Sequence, residues 1–161
     1  MTFVSSMRMP DLGSGAGYAL WAFRASAIGH SNCPALVKGY AEAFGDLGRP
    51  ALGGVRLLAH ELGTTGGRRV SIAAPGCCRV TADELSIVAL LSGAQSNDDA
   101  LCDAHLAWLL CGGDPSMARA AAASIGSVFL RAGFFISRPD INLAFPRAVK
   151  PVRSYHSAGN A

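Results

Sequence analysis

Charge and aromatic rings are both scarce in this 161-residue chain: 16% of its residues are Asp, Glu, Lys or Arg and 7% are Phe, Trp or Tyr. Long apolar runs are missing too. The longest uncharged stretches, 25–37 and 85–97, are 13 residues each, short of the roughly 18 that a spanning helix needs, so no transmembrane segment and no membrane partner are expected. Arg8 is followed by Met9-Pro10-Asp11 and a Gly/Ser stretch, where a secretory leader would carry a continuous apolar region and a cleavage site. Export by that route is not expected. Five cysteines, an odd number at irregular spacing, point to reduced thiols in the cytoplasm rather than a disulfide framework.

Signatures of catalysis are lacking as well. There is no nucleophile elbow, no His-Glu-x-x-His and no Gly-x-x-x-x-Gly-Lys phosphate loop. Gly13-Ser14-Gly15-Ala16-Gly17 is glycine-rich, but no predicted strand precedes it, which argues against a nucleotide fold. The net charge of +3 is unevenly placed. Residues 1–137 hold ten Arg/Lys and ten Asp/Glu, whereas 138–161 hold Arg138, Arg147, Lys150 and Arg153 against Asp140 alone. A neutral body offers no broad basic stripe, so nucleic-acid binding is not expected.

What is present is half apolar residues and 28 alanines with 19 glycines, enough for one core in which helices approach closely. Large residues fall at helical spacing from Tyr18 to Ile28. Pro34 opens a helix whose stripe Leu36, Val37, Tyr40, Ala41 and Phe44 ends at Gly45, and Pro50 opens another with Leu52, Val55, Leu58, Ala59 and Leu62 on one face. Arg68 to Ala74 alternates Val70, Ile72 and Ala74 with polar or small neighbours, predicting one short strand before Pro75-Gly76. Thr81-Ala82-Asp83-Glu84 is a capping box, and Leu85 to Leu91 is apolar almost all round, which predicts a central helix. Ser96-Asn97-Asp98-Asp99 caps the next, with Leu101, Ala104, Trp108 and Cys111 expected inward. Asp114-Pro115 opens a last helix through Met117, Ala121, Ile125, Val128 and Phe129. The expected architecture is mainly α: a single-domain bundle of five or six helices with one small β element near 68–74, a flexible lead-in at 1–17, a helical domain at 18–137 and a proline-containing basic tail at 138–161.

Chemistry-bearing clusters are few. His30/Cys33 and Cys102/His105 each place a His and a Cys three residues apart, an alternative zinc set with His60 and Cys111 also available as ligands. Cys77-Cys78 sits beside Arg79, just before a helix start, where a thiolate would be stabilised, although adjacent cysteines make a strained redox pair. Arg68 and Arg69, with Arg24 and Cys77, form a candidate anion or carboxylate site, since Arg donates bidentately. The pair Asp83-Glu84 reads as first-turn caps.

The stretches Gly67-Arg68-Arg69 through Ala74-Pro75-Gly76-Cys77, Thr81-Ala82-Asp83-Glu84-Leu85, Leu90-Leu91-Ser92-Gly93-Ala94-Gln95 and Ala107-Trp108-Leu109-Leu110, with Asn32-Cys33-Pro34-Ala35-Leu36, resemble a family of small uncharacterised alphaproteobacterial proteins classed as a domain of unknown function. The resemblance spans roughly 20–136 and implies no activity, cofactor or site residue. On the residues alone the expected function is a non-enzymatic interaction or regulatory domain. The alternatives are a small-molecule or anion-binding module using Arg24, Arg68 and Arg69, and a metal- or thiol-dependent enzyme. No cofactor is implied. A protein partner fits an interaction domain, and a homodimer is expected, with the last helix, its Ala120–Ala123 run and Phe129 as the contact.

Overall fold

The computed structural model describes residues 3–140, with side chains from Met7 onward. Its elements are strand β1 (Phe3–Arg8), helices α1 (Gly13–Ala27), α2 (Pro34–Phe44) and α3 (Gly48–Thr64), strand β2 (Arg79–Thr81), and helices α4 (Ala82–Ser96), α5 (Asp99–Leu110) and α6 (Ser116–Arg131). The fold is mainly α, with one two-stranded antiparallel sheet in which Phe3 pairs with Thr81 and Arg8 with Arg79. None of the helices is long and apolar enough to cross a membrane, among the described residues.

The central helix follows from its sequence. Thr81 Oγ1 accepts from the Glu84 amide (3.1 Å) while the Glu84 carboxylate accepts from the Thr81 amide (2.9 Å), closing the capping box. Every residue from Asp83 to Gly93 is buried, because α5, α6 and α1 pack around α4. Asp98 caps α5 by accepting from the Leu101 amide at 3.0 Å. Where α6 crosses α4, a Cβ on Gly126 would lie 3.0 Å from the Gln95 nitrogen, so any larger residue there would push against the α4 backbone. One turn further along α6, Tyr18, Tyr40, Phe44, Phe129 and Phe134 form an aromatic knot with centroids as close as 4.5 Å (Phe44 to Phe134).

Several expectations need correction. The small β element is not at 68–74 but between β1 and β2. Residues 68–74 run as an irregular strap whose amides at Ser71 and Ala73 donate to the carboxylates of Asp83 and Glu84. The apolar alternation of the sequence is not matched by burial, since Ala73 is buried and Ala74 exposed, and such a pattern does not say that a backbone pairs with a strand. Part of the stretch 1–17 expected to be a flexible lead-in is instead β1 and the first turn of α1. Gly15 and Ala16 are small because they are buried, and a Cβ on Gly15 would collide with the Phe135 carbonyl. On α5 the inward residues are Cys102, Leu106, Leu109 and Leu110, while Trp108 is 50% exposed and Ala104 and Cys111 are exposed. On α6, Met117 points outward and Phe129 is fully buried, so Phe129 belongs to the core and not to a contact between copies. The proline-containing basic tail lies outside the described residues from 141 on.

Candidate functional site

Two adjacent carboxylates at the head of α4 organise this end of the molecule. Glu84, fully buried, accepts from Arg24 Nε (2.6 Å) and Nη2 (2.9 Å) and from the amides of Ala73 (3.0 Å) and Thr81 (2.9 Å). Arg24 is 2% exposed. Its remaining donors go to the carbonyls of Cys77 (2.6 Å) and Arg79 (2.8 Å). Arg24 and Glu84 therefore tie α1 and α4 to the chain between them, satisfying four backbone groups as well as each other.

Asp83 does the same one residue earlier. It takes a bidentate pair from Arg68 (2.8 Å twice), the Ser71 amide (2.7 Å) and the Trp108 indole Nε1 (3.0 Å). The Arg68 guanidinium lies 5.0 Å from the Trp108 ring centre, a cation–π contact, and its Nε donates to the Trp108 carbonyl. Burial of the Asp83 carboxyl works to raise its pKa; the Arg68 hydrogen bonds, the Ser71 amide, the Arg68 charge and the indole together outweigh it and hold the carboxyl below its ordinary value. The hydrogen bond to Asp83 likewise raises Arg68.

The strap hung on these acids forms one wall of a groove of about 940 Å³. The other walls come from the C-terminal turns of α1 and α3. Its lining includes Arg56, His60, Arg68 and Arg69 and no Asp or Glu, over an apolar floor that includes Phe23, Ile28, Leu62 and Ile72. Arg56 Nε donates to the Ser31 carbonyl at 3.1 Å, which fixes the side chain, and Arg56 has no ion-pair partner among the described residues. Arg69 is exposed and has no ion-pair partner among the described residues. A second depression of about 460 Å³, lined by Met9, Pro10, Gly13, Ser14, Gly17, Tyr18 and Trp21, carries no charged side chain.

The four residues expected to share a ligand site are thus divided. Arg24 is buried against Glu84 and is not in the groove lining, and Cys77 meets it only through its carbonyl. Arg68 and Arg69 do reach one groove. Arg56 and His60 were missed, although they are four residues apart on the helix that ends at the Thr64–Gly67 turn, a spacing that puts both on the face beside Arg68-Arg69.

The alternative zinc set is not assembled: among the described residues no three His, Cys, Asp or Glu side chains come together as a metal site. His30 and Cys33 are exposed between α1 and α2, whereas Cys102 is buried with Sγ 3.7 Å from the Leu90 carbonyl. Its thiol pKa is raised by burial. His105 Nδ1 is 2.7 Å from Ser86 Oγ; burial first, then the charge of Arg138, lowers the His105 pKa. Ser86 is 3% exposed, so this contact is a core hydrogen bond and not an accessible nucleophile.

Compared with protein-family models, curated proteins and solved structures, the chain matches none.

Proposed function

We propose that this chain is a non-enzymatic interaction domain that captures a small organic anion in the groove between α1, α3 and the 66–72 strap. The observation that carries this reading is a lining with three arginines and a histidine and no acid. Two helix C-termini also face the groove, and each contributes only about half a negative charge. The charges of Arg56 and Arg69 exceed that, while the charge of Arg68 is offset by Asp83. Arg69 is the recognition residue, because its guanidinium fork has no ion-pair partner to surrender among the described residues.

Thermal unfolding with a panel of organic carboxylates and phosphate esters tests the proposal, since a ligand of the native state raises its apparent stability. Arg69→Ala should lose about tenfold or more in affinity, the worth of a charged hydrogen bond. Exposed Arg131 on α6 is the control, and Arg131→Ala should bind as the parent does. No response to any anion, or an equal response in Arg69→Ala, refutes the reading.

Homodimer formation in the cytoplasm is part of the same proposal, with exposed Leu130 and Phe135 in place of Phe129. Light scattering at twice 16.6 kDa supports it, and a monomer mass overturns it.

A further inference from the structure

The groove itself narrows the chemistry of the ligand. A bare acetate or phosphate has the bulk of only a few waters at about 30 Å³ each, and the groove offers about 940 Å³, the upper end of what small-molecule sites provide. The charge count points to a single negative charge. Arg56 and Arg69 supply two positive charges, and the ends of α1 and α3 take back about half a charge each, which leaves about one. A polyphosphate would be under-compensated there, and a single carboxylate would not.

Size and floor then require an apolar body. Phe23, Ile28, Leu62 and Ile72 line the groove, and Ile28 stands 48% exposed at its edge.

Resting on the anion-binding reading above, we infer that the groove takes an amphipathic monocarboxylate, with its carboxylate at Arg69 and Arg56 and an alkyl or aryl body over the apolar floor. Binding is driven by both parts. Neither a short carboxylate nor an uncharged chain of the same length suffices.

Isothermal titration of the full chain with decanoate below its micelle point, with acetate and with decanol separates the contributions. Decanoate should bind more than about tenfold tighter than either, because each buried methylene adds to the affinity and the charge orients the chain. Arg69→Ala should reduce decanoate binding to the level of decanol. Gly63→Trp should abolish it: Gly63 lines the groove, and a Cβ there meets nothing within 4 Å, so the ring fills the groove without disturbing the core. Should Gly63→Trp fail to melt cooperatively, Ala59→Leu, on the same wall, gives the blocked groove instead. Decanoate bound unchanged by a folded blocking variant overturns the inference. Acetate binding as tightly as decanoate, with loss in Arg69→Ala, overturns the amphipathic ligand and leaves the anion reading standing. Decanol binding as tightly as decanoate overturns both, as does an absence of binding by all three.

Discussion

Removing the Glu84 carboxylate should be among the most damaging single changes available in this protein. Glu84→Leu strands a fully desolvated guanidinium, since Arg24 is 2% exposed, and deprives the amides of Ala73 and Thr81 of their acceptor. Breaking a buried pair from one side costs about 3–5 kcal/mol, against a total stability of about 5–15 kcal/mol for a domain. For a chain of this length that corresponds to a fall in Tm of about 6–20 °C. Apolar replacement of both partners is often harmless in other proteins, but here it should not be. The double variant Arg24→Met with Glu84→Leu still takes a hydrogen-bond partner from four backbone groups, at Ala73, Thr81, Cys77 and Arg79, of which the amides of buried Ala73 and Thr81 should each cost about 1–3 kcal/mol when left unsatisfied. Urea unfolding of the parent, both single variants and the double gives the coupling energy directly. A Glu84→Leu protein melting within about 3 °C of the parent, or a double variant as stable as the parent, would refute the view that this pair holds the strap.

Acid should weaken the fold through Asp83. Its folded-state pKa is depressed, so its stabilisation is present above the unfolded value near 4 and is lost as pH falls through the folded value; urea midpoints should drop below about pH 4, and less so in Asp83→Asn. His105, also depressed, is more readily protonated in the unfolded chain, so stability should already begin to decline below about pH 6.5, a decline that His105→Gln removes. Phe129→Ala should cost about 3–5 kcal/mol, because the ring is fully buried against Phe44 at 4.8 Å; a near-neutral result would place Phe129 outside the core. Gly126→Ala should destabilise by about 1–3 kcal/mol through overpacking against the α4 backbone, again read as a urea midpoint.

The helices were legible because their signals are local. Pro34 at a first turn, the Thr81/Glu84 box and the Asp98 cap each act within four residues of chain. The strap was not legible as such, because whether Ser71 donates to a strand or to Asp83 depends on a contact twelve residues away. The inner face of α5 was misjudged because Trp108, the largest side chain, was taken as inward; its ring covers Arg68 and its Nε1 reaches Asp83, roles that only the tertiary fold supplies. The site was half legible. Arg68 and Arg69 were found as a charged pair beside a glycine turn, while Arg24, equal to them in sequence, is buried among internal partners. Its difference lies in the apolar neighbours Ala22, Phe23 and Ala25, all buried, which carry it into the core.

The claim that the groove binds an organic anion is tested most directly by where a ligand touches the protein. Decanoate added to the ¹⁵N-labelled chain should move the amide resonances of Arg56, Ala59, His60, Arg69 and Val70, which line the groove, and leave those of Met9, Gly13 and Gly17 around the uncharged depression in place. Saturable shifts confined to the second group, or no saturable shifts at all, would contradict it.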